Sequence, residues 1–110
     1  AKLDGAALTG LEELYRQKPF VSGGRHFGAR IVFPGDGTLL FSIGDRGMRD
    51  PSQDLGSSIG TAIRLTLDGA VPDDNPFVGT DGALPEIYSY GHRNIQGMVV
   101  DPATGDIWSH

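Results

Sequence analysis

Arg30-Ile31-Val32-Phe33, then Pro34-Gly35-Asp36-Gly37, then Thr38-Leu39-Leu40-Phe41-Ser42-Ile43 is the stretch that decides how this chain folds. Two apolar runs flank a four-residue turn built from proline, aspartate and glycine, which is the pattern of a β-hairpin. The second run is almost wholly apolar, so both of its faces are expected to be buried, as in a sheet stacked between neighbours. Working outward, a third strand is expected at Thr61–Leu67, closed by the turn Asp68-Gly69. A fourth is expected at Glu86–Tyr90, and Met98–Val100 with Asp106–Trp108 makes a last hairpin about Asp101–Gly105. The glycines of these turns, Gly37, Gly69 and Gly105, recur at intervals of roughly 30 to 40 residues, the scale of a β-propeller. A β-sandwich is the alternative that periodicity leaves open. Either way the fold class is all-β.

Composition agrees. Among 110 residues there are 17 glycines, about twice the usual share, and they fall in short turn-like clusters. The length suits one domain with a modest core. Cysteine is absent, which removes disulfide and thiolate chemistry. A net charge of −5 opposes a nucleic-acid partner, whose phosphates call for a basic face. No apolar run approaches the ~18 residues of a membrane span. Ala1 is not a natural start and Ile107–His110 stops within a strand, so residues 1–110 are expected to be one partial domain, incomplete at both ends.

The first twenty residues give conflicting signals. Thr9-Gly10-Leu11-Glu12 fits a capping box, and Leu8, Leu11, Leu14 and Tyr15 follow helical spacing, which predicts a short helix over Leu11–Gln17. Gly5, Gly10 and Pro19 oppose it.

Polar residues cluster at three places between the strands. Tyr88-Ser89-Tyr90-Gly91-His92-Arg93-Asn94-Ile95-Gln96 holds a guanidinium fork beside an amide, a pair suited to a planar anion. Arg25-His26-Phe27-Gly28 follows the hinge-like Ser22-Gly23-Gly24 and offers an imidazole that is either a turn residue or a general base. Gly44-Asp45-Arg46-Gly47 opens a polar loop running to about Gly56. Asp45 there either caps the strand end as an Asp-turn or orients the His26 imidazole. The proline-bounded Val71–Phe77 reads as an ordered scaffold loop, and Asp73-Asp74-Asn75 lacks the spacing of a calcium loop, so no metal site is expected there.

Five strings in order, H-F-G-A-R-I-V-F, T-L-L-F-S-I-G-D-R-G, Q-D-L-G-S-S-I-G-T-A-I-R-L, D-N-P-F-V-G and P-E-I-Y-S-Y-G-H-R-N-I-Q-G, resemble the soluble quinoprotein aldose and glucose dehydrogenases. The likeness runs from about Leu3 to His110. It implies about two blades of a six-bladed β-propeller, and strand rather than helix over Leu8–Gln17. It also implies pyrroloquinoline quinone as cofactor, an aldose sugar as substrate, and a periplasmic or secreted location. On the matching positions, His26 is the catalytic base with Asp45 as its orienting carboxylate, Arg93 and Asn94 meet the quinone, and Asp50 lies near a sugar-contacting position. His92 and Gln53-Asp54 are expected to support their loops. Arg25 departs from the acidic residue that some glucose-specific members carry before the histidine. The family's catalytic calcium is implied as well, with its ligands expected beyond His110. Two blades cannot close a ring, so self-association, three copies being one count, or pairing with the rest of a propeller is expected to cover the edges. Alone, the segment is expected to be inactive. The alternative function is a non-catalytic propeller module that binds carbohydrate or protein.

Overall fold

The computed structural model describes all of residues 1–110. Its eight strands are β1 (Lys2–Asp4), β2 (Ala7–Thr9), β3 (Gly28–Val32), β4 (Thr38–Ile43), β5 (Thr61–Thr66), β6 (Ile87–Tyr90), β7 (Met98–Val100) and β8 (Ile107–Ser109). They form one complete four-stranded antiparallel sheet, β3-β4-β5-β6, with the hairpins β1-β2 and β7-β8 as separate two-stranded sheets. The strand total is thus two blades' worth, divided as half, whole and half. Gly37 and Gly69 both turn within the four-stranded sheet, so their interval is not the blade period; Gly37 and Gly105, each joining the first two strands of a sheet, are the recurring pair.

β4 is the keystone. Leu39 and Ile43 point to one side, where Ile63 and Leu65 of β5 and Ile87 of β6 complete a cluster joined by Tyr15, Leu55, Val71, Phe77 and Leu84. Leu40 points to the other side and packs with Ala62, Ile95 and Met98, so the β7-β8 hairpin is docked through the same strand. Because side chains alternate along a strand, six consecutive residues serve two cores. This is the doubly buried strand that the run Thr38–Ile43 predicted. Its turn is fixed locally, since the Asp36 carboxylate accepts from both the backbone N–H (2.9 Å) and the hydroxyl (2.6 Å) of Thr38. Arg64, opposite Leu40 on β5, reaches Asp36 at 3.2 Å and Asp74 at 2.7 Å. Asn75 donates to the carbonyls of Arg64 and Pro85, which makes Val71–Phe77 the scaffold it was expected to be.

The segment after β2 corrects both expectations for it. Only Leu8 and Thr9 of Leu8–Gln17 are strand, and residues 11 to 17 are neither helix nor strand. Gly10 adopts a positive φ of 59° that ends β2, and Leu11 and Leu14 stay exposed, so no helical stripe is buried. Instead the segment crosses the sheet as an extended strap. Tyr15 packs on Phe41 with ring centroids 5.3 Å apart, and Lys18 exchanges hydrogen bonds through its N–H (2.8 Å) and C=O (2.7 Å) with Ser58. Burial pushes the Tyr15 phenol up to about 12, with the Ser58 hydroxyl opposing in part.

The two-sided core makes a graded prediction. Ile63, fully buried between β4 and β6, should lose about 2–5 kcal/mol of folding stability as Ile63→Ala but only ~0.5–1.5 kcal/mol as Ile63→Val. Denaturant unfolding of the whole protein checks this; equal effects of the two would contradict the packing described.

Candidate active site

Four ends of the central sheet meet at one place: the start of β3, the end of β4, the start of β5 and the end of β6. The loops there approach so closely that glycine is required. A β-carbon on Gly44 would collide with the His26 carbonyl, and one on Gly28 would lie 2.8 Å from the Ser42 carbonyl oxygen. Backbone hydrogen bonds then sew the segments together. Gly44 N–H donates to Phe27, Asp45 N–H to the Arg93 carbonyl at 2.8 Å, Gly60 N–H to Gly44, and His92 N–H to Gly60.

On this frame His26 Nδ1 lies 2.6 Å from Asp45 Oδ1. The carboxylate is 2 % exposed and the imidazole 20 %. Burial raises the Asp45 carboxyl, but the Gly47 N–H at 2.7 Å, His26 and the Arg49 N–H outweigh it and hold it below its ordinary value. The carboxylate is therefore ionised at neutral pH and can only accept, so the neutral imidazole carries its proton on Nδ1 and leaves Nε2 with a free lone pair. The two sequence readings of Asp45 are both realised, because one carboxylate makes the turn to Gly47 and orients the ring. His26 itself has φ 54°, a left-handed conformation costly for a non-glycine residue. It is held there by hydrogen bonds along the segment, with Arg46 N–H on its own carbonyl, Gly44 N–H on the Phe27 carbonyl and Gly28 N–H on the Asn94 side chain.

Beside this pair is an opening of about 320 Å³ lined by Asp45, Arg49, Asp50, Ser52, Gln53, Gly91 and Arg93. Of the five residues singled out in the sequence, Asp45, Asp50 and Arg93 line this opening. His26 and Asn94 do not line it; His26 is bonded to Asp45, and Asn94 follows Arg93 in the chain. Asn94 is placed differently from expectation in one respect. Its Oδ1 accepts from Gly28 N–H at 3.0 Å, so its carbonyl half is spent on holding β3 and only its NH₂ is available to a ligand. His92 supports the loop as expected, with Nε2 2.8 Å from Ser89 Oγ, and burial lowers its basicity. Asp54 turns back to accept from Gly56 N–H, pinning the loop, whereas Gln53 faces the opening.

Arg49, one of the single arginines that the sequence marks as site or ladder residues, was given no particular role. It precedes a 3-10 turn, Asp50–Gln53, at a φ of 63°. Its carbonyl accepts from both the N–H and the hydroxyl of Ser52. The signal was present in Asp50-Pro51, which starts a turn and aims the residue before it.

The glucose/sorbosone dehydrogenase profile matches residues 1–110. The chain belongs to this family. It is 44% identical to the aldose sugar dehydrogenase YliI of Escherichia coli strain K12 over 105 residues, covering 96% of this chain and 28% of that protein. The crystal structure of the soluble aldose sugar dehydrogenase of Escherichia coli in its apo form superposes with a TM-score of 0.89 at 43% identity, covering 93% of this chain and 29% of that one. The PQQ-bound aldose sugar dehydrogenase of Streptomyces coelicolor superposes at 0.68 and 38% identity, covering 79% and 24%. This member of the glucose/sorbosone dehydrogenase family therefore spans less than a third of the length of the relatives it matches. Those relatives are β-propellers, and the half-whole-half arrangement of sheets is a part of one.

The ionised Asp45 gives a pH prediction. Its carboxyl is held below the unfolded value of 3.8, so its contribution to stability is fully present above that value and is lost as pH falls through the lower folded value. Asp45→Asn should lower stability at pH 7 and flatten the acid limb. Denaturant midpoints from pH 7 down to 2 measure this, and an acid limb unchanged in the variant would contradict it.

Proposed function

We propose that this segment carries the general base and part of the cofactor pocket of a quinoprotein dehydrogenase that oxidises an aldose at its anomeric carbon. The observation that carries the reading is the His26–Asp45 pair set against an opening shared with Arg93. The donor set fits the quinone. Its carboxylates and planar dione suit the Arg93 and Arg49 guanidiniums and the Asn94 NH₂, all at or beside one opening. Bound there, pyrroloquinoline quinone would supply the two-electron oxidant that takes hydride from the sugar. The chain's residues do the rest. His26 Nε2 takes the anomeric hydroxyl proton as the carbon is oxidised, leaving a lactone. The ionised Asp45 holds the ring in the Nδ1–H tautomer and stabilises its protonated form. Asp50, on the rim, accepts from sugar hydroxyls. Calcium, implied by the resemblance, finds no grouping of three or more His, Asp or Glu side chains within residues 1–110, and the proposal gives it no ligand here.

A non-catalytic module is the weaker reading. A binding surface has no use for an imidazole of strained φ whose ring is bonded to a buried carboxylate.

Two sets of variants of the whole protein test the assignment. His26→Ala should lower kcat for aldose oxidation by roughly 10²–10⁴-fold while quinone still binds. A variant retaining activity within a few-fold would remove the base from the account. Asn94→Asp keeps the acceptor for Gly28 but loses the NH₂, so it should weaken quinone affinity with little change in Tm; Asn94→Ala should lower both. If both variants bind quinone as the wild type does, Asn94 has only the structural role.

A further inference from the structure

The chain carries a net charge of −5, yet four of its six unpaired basic side chains lie at the candidate active site, Lys2 and Arg30 being the other two. Arg16 and Arg64 are each held by carboxylates, Glu13 for the first and Asp36 with Asp74 for the second. Arg25, Arg46, Arg49 and Arg93 have no carboxylate within 4.0 Å. Arg25, Arg46 and Arg49 belong to the loops that carry His26 and Asp45, and Arg93 to the neighbouring loop after β6. Arg30, the remaining unpaired arginine, faces a separate groove with Met98, Trp108 and His110.

The four are not equivalent. Arg46 is committed to structure, with its guanidinium 4.0 Å over the Phe27 ring and bonded to Gln17 Oε1 at 2.9 Å. Arg93 lines the opening and is assigned to the quinone above. Arg25 and Arg49 remain. Arg25 lies against Gly47, where an added β-carbon would be 2.8 Å from its Nη2. Gly47 is the residue whose N–H holds Asp45, so this guanidinium flanks the His26–Asp45 pair. Arg49 lines the opening itself. Its carbonyl is bonded to Ser52, and its backbone holds a conformation that a non-glycine residue adopts only when its surroundings impose it. The acidic residues lining this opening are Asp45, already spent on His26, and Asp50.

We infer that Arg25 and Arg49 select an anionic aldose, a sugar bearing a carboxylate or phosphate away from its anomeric carbon. This rests on the proposed dehydrogenase reading and deepens it. With the anomeric hydroxyl at His26, the anion of the same sugar is met by the two guanidiniums flanking that base, in the charge-assisted geometry that suits carboxylate and phosphate alike. The oxidation is unchanged: the hydroxyl proton goes to His26, the hydride to the quinone, and the anion takes no part.

The whole protein, loaded with quinone and calcium, is assayed with glucuronate, glucose 6-phosphate and glucose. The expected result is a kcat/KM at least about tenfold higher for one of the two anions than for glucose, the difference shrinking as salt is raised. Which anion leads identifies carboxylate or phosphate as the recognised group. R25Q and R49Q, at exposed positions, should each reduce the anion-to-glucose ratio by about tenfold. Calorimetric titration of the same sugars into protein without quinone should show the same order of affinities. Glucose preferred over both anions, or a ratio unmoved in both variants, overturns the inference and leaves the dehydrogenase reading intact. Oxidation of none of the three sugars by folded, quinone-loaded protein overturns the dehydrogenase reading instead, and the titration then decides the anion site alone: no preference for either anion overturns it.

Discussion

The structure depends on the close meeting of three backbone segments at one end of the central sheet, around residues 26–28, 44–47 and 91–94. A buried carboxylate there is tolerable only because every partner is in place. The Asp45 side chain accepts from the Gly47 N–H and is bonded to His26, while its own N–H is taken by the Arg93 carbonyl. Removing any of the contacting glycines would force the segments apart, since Gly44 and Gly28 leave no room for a side chain. The residue bonded to the proposed base is thus also the residue that closes the loops. Stability and the proposed chemistry share one carboxylate.

This explains why the non-glycine residues with strained backbone gather where they do. Three of the four, His26, Arg46 and Arg49, have φ between 54° and 63° and lie in the loops that carry His26 and Asp45; the fourth, Ala29 at 77°, is in β3. Each such conformation costs about 1–3 kcal/mol, which the two-sided core under β4 has to offset. The same core fixes the ends of β4 and β5, so the site inherits its rigidity from Leu39, Leu40 and Ile63 rather than from the loops.

What was legible in the sequence follows from range. Thr38–Ile43 announces a doubly buried strand because its own six residues are nearly all apolar, and Asp36-Gly37 announces the turn because the contact it makes is to Thr38. The grouping of His26, Asp45, Asp50, Arg93 and Asn94 was reached through resemblance to a family, since nothing local to His26 points to a carboxylate 19 positions later. The strap at residues 11 to 17 misled because its evidence was local and its determinants are not. The capping box and leucine spacing lie within it, but its conformation is set by Ser58 and Phe41, which no local pattern reveals. Asn94 is the same case in miniature: an amide next to an arginine reads as a ligand group, and half of it is occupied by a backbone N–H 66 residues away.

At the centre stands an imidazole whose Nδ1 is bonded to an ionised carboxylate. Nitrogen-15 NMR of the whole protein with labelled histidine, followed across the titration of the ring, reads its tautomer directly. The account predicts that the neutral form of His26 carries a slowly exchanging, strongly downfield Nδ1 proton and an unprotonated Nε2, an arrangement lost in Asp45→Asn. A neutral ring protonated on Nε2, or one averaging freely between tautomers, would contradict it.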